Sequence, residues 1–385
     1  MPAQGAAPAA ATAARTGRFP FLAGAVVLGG IAAAATAVIL LQRRSPEAPK
    51  PEIALPTPTP TETEPTETEP TEPEPIEPEP TQPAAPQPAP QQDISIGQLN
   101  AYNLFDTVDD PRKQDDVRTE AEYDLHLHRL ALTLRDTMGA PDIVTLEEVE
   151  NEAVLRDLVA QPELAALGYV PVLREGRDPR GIDVAVLYRS NRFQATSISI
   201  WDTDGVSATG RKVKDFTRPP LVVELVPTGG ADTARAGAKT LTVAALHLTS
   251  RLQGVDGERR RADQTEAVAE KIDALRAVDP EHLVVVGGDL NMAPDEAPYR
   301  ALVSGAPGAA GPRLLEPLSA LDAADRYSYR RGRTHELLDH VLVTPTPGVT
   351  ISGASIPHIN TGVTKTTDGP AGASDHDPVL VQVRR

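Results

Sequence analysis

The chain has 385 residues, no cysteine and a formal net charge of −17. Without cysteine there is no disulfide, no zinc–thiolate centre and no thiol nucleophile. From Asp93 onward 44 acids stand against 32 bases, or −12, which excludes a broadly basic nucleic-acid-binding face but not an enzyme that holds phosphates through a metal and a few arginines.

Residues 1–19 read as an N-terminal tail. Pro20 to Leu41 is uncharged and is followed by Gln42-Arg43-Arg44. That run is long enough to cross a bilayer as a helix, so residues 20–42 are expected to be a transmembrane anchor. The alternative is a cleaved secretory signal, for which Ala33 to Ala37 would supply the small residues at the cut. Arg15 and Arg18 on one side and Arg43 and Arg44 on the other leave the orientation weakly specified. Residues 43–92 are rich in Pro, Thr and Glu, with a degenerate Thr-Glu-Pro repeat from Thr59 to Pro80. Proline removes backbone donors and like charges repel, so a stiff, disordered spacer is expected, spanning on the order of 100 Å when extended at ~3.1 Å per residue. A stalk of this kind places residues 93–385 outside the cytoplasm, in a periplasm or at a cell surface. The other arrangements are secretion after signal cleavage and a spacer on the cytoplasmic side.

From Asp93 short apolar runs alternate with amphipathic stretches. The pattern predicts strands over Ile94–Leu99, Asp142–Leu146, Tyr169–Leu173, Ile182–Tyr188, Phe193–Ile200, Leu221–Val226, Thr240–Leu248, Leu283–Gly287, His340–Val343 and Val379–Val383. It predicts helices over Tyr123–Met138, Ala153–Val159, Arg259–Arg276 and Glu296–Val303. Strands outnumber helices without simple alternation. This fits an α+β fold in which two mixed β-sheets pack as a sandwich with flanking helices.

Several strand ends bear polar groups. Asn100, with Asn103 close by, follows Ile94-Ser95-Ile96-Gly97-Gln98-Leu99 and offers a carboxamide for a hard cation; turn chemistry is the plainer use. Asp142 to Leu146 runs into Glu147, Glu148 and Glu150, which suit either Mg²⁺ or the start of a helix. Val284-Val285-Val286-Gly287-Gly288 leads to Asp289 and Asn291, two apart and on one side of an extended chain. The Asp can take a proton from water and the Asn can donate to a phosphoryl oxygen; an Asx turn is the rival use. His247 ends the apolar run Ala244-Ala245-Leu246 and is followed by Thr249-Ser250-Arg251. A lone strand histidine usually belongs to the core, but imidazole beside guanidinium also serves a phosphate. Arg259-Arg260-Arg261 is either more of that charge or a solvated helix start. Asp339-His340 and Asp375-His376 complete the set, Asp339 being suited to orient a catalytic imidazole. His126 and His128 are expected on a solvated helix face. His282, His335 and His358 show no partner pattern.

Leu99-Asn100, Leu146-Glu147-Glu148, Gly288-Asp289-Leu290-Asn291, Leu338-Asp339-His340 and Ser374-Asp375-His376-Asp377-Pro378 resemble, in order, the motifs of the endonuclease/exonuclease/phosphatase superfamily. Asn103-Leu104-Phe105-Asp106, the segment Arg180 to Arg189, and His247 with Ser250-Arg251 resemble its bacterial extracellular-nuclease branch. The resemblance covers roughly Asp93 to Val383. It implies a deoxyribonuclease I-like sandwich and Mg²⁺ or Mn²⁺ as cofactor. It implies Glu148, Asn100 and Asp375 as metal ligands. Asp289 would orient and deprotonate the attacking water and Asn291 would support the phosphoryl group. His376, held by Asp339, would contact the scissile phosphate. His247 would be a second imidazole, with Asp183 a candidate for its carboxylate partner. Asn103, Arg180 and Arg251 would contact substrate. Glu147 stands where many members have Gln. The expectation is a monomeric, membrane-tethered nuclease acting on DNA or RNA. A phospholipid or small phosphoester substrate, and an inactive binding module, are the alternatives.

Overall fold

The computed structural model describes residues 93–206, 212–214, 216–228, 240–305, 308, 311–361 and 371–384. The expected tail, anchor and spacer lie outside the described residues. Among the described residues no helix is long and apolar enough to cross a membrane.

The described part begins with β1 (Ile94–Leu104), α1 (Glu120–Leu132), β2 (Ile143–Val149), α2 (Glu152–Val159), β3 (Tyr169–Leu173), β4 (Asp183–Arg189) and β5 (Phe193–Ile200). A short hairpin of β6 (Asp204–Val206) and β7 (Lys212–Lys214) leads to β8 (Leu221–Pro227) and β9 (Leu241–His247). Then come α3 (Gly254–Val278), β10 (Leu283–Asp289), α4 (Ala297–Val303) and a second hairpin of β11 (Tyr329–Arg331) and β12 (Thr334–Glu336). The chain closes with β13 (Asp339–Val343), β14 (Thr350–Ser355) and β15 (Val379–Arg384).

The strands form a six-stranded sheet, β14-β15-β1-β2-β4-β3, and a five-stranded sheet, β13-β10-β9-β8-β5. Both are mixed: β1 runs parallel to β2 and β9 to β10, while the flanking pairs are antiparallel. This is the expected sandwich. Its layering follows from side chains pointing alternately to opposite faces of a strand. Ile143, Val184, Val186, Leu241, Val243, Leu283 and Val285 fill the layer between the sheets. Their neighbours point outward. Val144, Leu146, Ala185 and Leu187 pack under Leu127, Leu130, Leu155 and Leu158 of α1 and α2. Ala244, Leu246, Val284 and Val286 pack under Val268, Ile272 and Leu302 of α3 and α4.

Every strand and helix expected from the pattern is present. The two hairpins and β14 were not expected. β11 and β12 are three residues each, Tyr-Arg-Arg and Thr-His-Glu, with no apolar alternation to read. β14 is an edge strand with one large apolar residue, Ile351, and an irregular register. Three helices start earlier than expected, α2 by a single residue at Glu152. α1 opens at a capping box, in which Thr119 and Glu122 satisfy each other's backbone N–H groups. α3 opens at Gly254 rather than Arg259: Gly254, at φ +61° and ψ −145°, is where the chain turns into the helix, and Gly257 lies in the helix.

The carboxyl end of β10 needs its glycines. A Cβ on Gly288 would lie 1.9 Å from the carbonyl oxygen of Leu246 on the neighbouring strand, and one on Gly287 would lie 2.6 Å from Thr145 Oγ1 in the opposite sheet. Gly288→Ala must push a core strand aside. We expect a loss of about 3 kcal/mol of stability, read from urea unfolding. A variant as stable as the parent would show that β9 and β10 are not held at this separation.

Candidate active site

The inward-facing positions of the central strands change character at one end of the sandwich. β1 reads Ile94, Ile96, Gln98, Asn100; β2 reads Ile143, Thr145, Glu147; β9 reads Leu241, Val243, Ala245, His247; β10 reads Leu283, Val285, Gly287, Asp289. β13 runs the opposite way and begins with Asp339. Register places His247 opposite Asp289, Asp289 opposite Asp339, and Asn100 opposite Glu147. All six are buried. A polar row thus crosses both sheets at their shared end.

Gln98 joins the two sheets. Its Nε2 donates to Glu147 Oε2 and to Asp339 Oδ1, both at 2.7 Å. The other oxygen of Asp339 accepts from Ser328 Oγ at 2.7 Å and lies 2.6 Å from His376 Nδ1. Ser374 Oγ donates to the Asn100 carbonyl and accepts from His376 N. The ring of Tyr329 lies against that of His376, with centroids 4.6 Å apart. Burial opposes charge on His376, but Asp339, Asp289 and Asp375 outweigh it and hold the imidazole protonated well above its ordinary range. Its Nε2 faces Asp375, whose Oδ1 lies 4.0 Å away.

Asp289 is buried beside Asp339, and both effects push its carboxyl up. It accepts from Asn291 N at 2.8 Å, and Asn100 Nδ2 lies 3.4 Å from its other oxygen. Asn291 spends one amide hydrogen on the Leu248 carbonyl. His247 Nε2 lies 3.6 Å from Asp289 Oδ2. Burial, with Arg218 and Arg180 nearby, drives His247 well below its usual range and keeps it neutral. Asp183 does not partner His247. It accepts from Gly176 N at 2.8 Å and lines a separate acidic cavity of about 250 Å³ with Asp106 and Glu150. Val184 and Val186 of β4 face the other sheet, so strand alternation puts Asp183 on the opposite face with Ala185 and Leu187.

Glu148 occupies the register shift between β2 and β4 at Glu147–Val149 with φ +59°, so its carboxylate leaves the strand's alternation and meets Asn103 N at 3.0 Å. Burial raises its carboxyl against the opposing effect of Arg180 and His376. Tyr102, Asn103 and Asn291 are also left-handed, at φ +58°, +52° and +52°. Non-glycine residues in this region cost on the order of 1–3 kcal/mol each, and here they cluster at the polar row. Arg180 reaches Asn103 Oδ1 at 3.4 Å and Asp178 at 3.3 Å. Arg251 is not a free phosphate receptor, because Glu336 at 2.8 Å and Glu296 at 3.1 Å already hold its guanidinium. Arg261 is buried on the Thr249 carbonyl rather than solvated.

Two residues that sequence reasoning passed over matter here. Gln98 was legible as a polar residue on an inward position. Arg218 gave no periodic signal, since it precedes Pro219-Pro220 in a loop. It is buried, pairs with Asp178, and donates to the carbonyls of His247 at 3.4 Å and Leu248 at 3.1 Å. It therefore fixes the strand end that presents His247.

The donor set fits a hard divalent cation. Asp289, Asp339 and His376 offer ligand atoms within 4.8 Å of one another. Glu147 is also buried, with its carboxyl pushed up by burial and by Asp339. The tightest group is thus the one expected to be catalytic. Of the expected ligands, Glu148 and Asp375 both influence His376. Asn100 accepts from Tyr102 N through Oδ1 at 2.9 Å, which leaves one lone pair of that oxygen for an ion.

Replacing Arg218 with Met strands Asp178 and two carbonyls, and we expect a loss of about 3–5 kcal/mol by denaturant unfolding. Adding Asp178→Asn should recover part of it, and no recovery would mean that the pair is not the cause. At the acidic cavity, burial pushes Glu150 up to about 7. Its folded value then exceeds the unfolded one, so this contribution to stability is full below about pH 4 and is lost as pH rises toward 7. Glu150→Gln keeps an acceptor for Asp106 N–H. It should exceed the parent by about 1–2 kcal/mol at pH 8, with little difference at pH 4. Equal effects at both pH values would remove the perturbed carboxyl.

The comparisons with known proteins agree with this architecture. Residues 95–347 match the profile described as "Endonuclease/Exonuclease/phosphatase family". No curated protein matches the chain. Among solved structures, D. rerio TDP2 complexed with single strand DNA product is 16% identical, with a TM-score of 0.51 over 76% of this chain and 99% of that one. An endonuclease/exonuclease/phosphatase family protein from Bacteroides thetaiotaomicron is 17% identical, with a TM-score of 0.52 over 77% and 96%. The mannosyl-6-phosphatase Bt3783 of the same organism is 17% identical, with a TM-score of 0.51 over 76% and 100%. At these identities the likeness is one of fold, while the profile spans most of the chain and coincides with the strands that build the polar row. The chain therefore belongs to the endonuclease/exonuclease/phosphatase family.

Proposed function

We propose that the chain is a divalent-metal-dependent phosphodiesterase, a nuclease acting on DNA or RNA. In this reading it works outside the cytoplasm as a monomer, tethered through residues 20–42 and the spacer. The observation that supports hydrolysis of a phosphodiester is the buried row of Asp289, Asp339 and His376 with Glu148 beside it. A carboxyl raised by its surroundings takes a proton near neutral pH, which suits Asp289 to receive one from the attacking water. His376, kept protonated by Asp339, donates from Nε2 to a phosphoryl oxygen. The free amide hydrogen of Asn291 serves the same charge. His247 stays neutral and steadies Asp289. A divalent cation, Mg²⁺ or Mn²⁺, held by Glu148, Asp375 and Asn100 at the edge of this row, would supply positive charge to offset the negative charge that in-line displacement builds on phosphoryl and leaving oxygens.

The neighbour complexed with single strand DNA product favours a nucleic acid. The mannosyl-6-phosphatase neighbour is why a small phosphoester is kept as the second reading. The test uses the full chain in detergent with plasmid DNA, RNA, sphingomyelin and mannose 6-phosphate, in Mg²⁺ or Mn²⁺ and in EDTA. We expect nucleic acid to be cut with metal and spared in EDTA. Asp289→Asn should lower turnover by about 10³-fold without lowering the melting temperature, since it removes a repelled carboxylate. Turnover of the lipid or sugar phosphate with intact nucleic acid would overturn the nuclease reading.

A further inference from the structure

Against the acidic balance of the chain, one short segment is strongly basic. Arg326-Tyr327-Ser328-Tyr329-Arg330-Arg331-Gly332-Arg333-Thr334-His335-Glu336 contains four arginines and one acid. That acid, Glu336, is already taken by Arg251. Arg330, Arg331 and Arg333 surround the exposed turn between β11 and β12, and none of them forms an ion pair among the described residues.

The base of this hairpin is fastened to the catalytic row. Ser328 bonds Asp339, the Ser328 carbonyl accepts from Asp377 N at 2.7 Å, and Tyr329 pairs with His376 as an isolated β-bridge. The hairpin also carries a stack of rings. Tyr327 lies nearly parallel to His335, at 4.0 Å and 15°, and to His358, at 3.9 Å and 3°. Two rings at that distance must occupy opposite faces of Tyr327. His358 is the inner end, with Nδ1 2.9 Å from the buried Asp377. His335 is the outer end and is exposed.

Guanidinium groups free of carboxylates, with Arg330 directly across the ladder from His335, beside an open end of stacked rings are the chemistry that receives a sugar–phosphate backbone and an unpaired base. We propose that this hairpin is the arm that captures single-stranded nucleic acid: Arg330, Arg331 and Arg333 meet backbone phosphates and a base stacks on His335, with the scissile phosphodiester at His376. A base inside a duplex already has both faces taken by its neighbours in the stack, so the arm selects for single strands. The inference rests on the nuclease reading above and adds the part of the surface that selects the substrate.

The test compares kcat/KM of the full chain on a single-stranded oligonucleotide, a blunt duplex of equal length and bis(p-nitrophenyl) phosphate, which is too short to span the arm. Each polymer value is divided by that for the small diester. Arg330→Gln, Arg331→Gln and Arg333→Gln together should lower the single-strand ratio by about tenfold or more, and should reduce the slope of log KM against log salt by about 2. His335→Ala should lower the single-strand ratio roughly fivefold and leave the duplex ratio unchanged. Unchanged ratios in an enzyme that cuts the oligonucleotide overturn the arm and leave the nuclease reading intact. Equal losses on duplex and single strand from His335→Ala overturn the stacking. A parent that hydrolyses the small diester but neither polymer overturns both readings.

Discussion

The site depends on carboxyl groups kept in a dry layer between two sheets. Glu147, Asp289 and Asp339 all point into it, and taking such groups out of water costs several kcal/mol each unless hydrogen bonds and opposite charge offset the loss. Gln98 supplies one amide to acids on opposite sheets, and Ser328 and the His376 imidazole meet the far oxygen of Asp339. The offset is incomplete: Glu147 Oε1 and Gln98 Oε1 have no hydrogen-bond partner among the described residues. Burial and the surplus of negative charge together lift the Asp289 carboxyl, which is what suits it to the role of base proposed above. The sandwich, the glycine breaks in β10 and the buried Arg218–Asp178 pair all hold that unfavourable grouping in place.

Much of this was legible because strand alternation is a strict code. Once Ile94 and Ile96 are assigned inward, Gln98 and Asn100 must follow, and Leu283 and Val285 commit Asp289 in the same way. Hydrophobic pattern therefore located both the sandwich and the end at which its inner face turns polar. The code fails where alternation is interrupted. Glu148 escapes it through a register shift in β2, whereas Asp183 obeys it and for that reason faces away from His247. The arrangement of Arg251, neutralised by Glu336 and Glu296, depends on a hairpin too short and too polar to show a period. Ring stacking between His335, Tyr327 and His358 joins residues from separate segments, and no local pattern announces it.

The charge distribution has a physical logic of its own. An acidic body repels polyanions, so the nucleic-acid substrate proposed above would be received where positive charge stands clear of carboxylates. Within the site Arg180 and Arg218 are bound to Asp178, whereas the hairpin arginines carry no ion pair among the described residues.

The left-handed backbone of Glu148 bears on how this protein can change over generations. Valine, isoleucine and threonine are barred there by their branched side chains. Glycine would relax the chain but forfeit the acid, and aspartate would hold the charge one methylene short of where Asn103 N receives it. Few single-codon steps satisfy both the torsion and the reach, so this position can drift only if the neighbouring loop is rebuilt along with it.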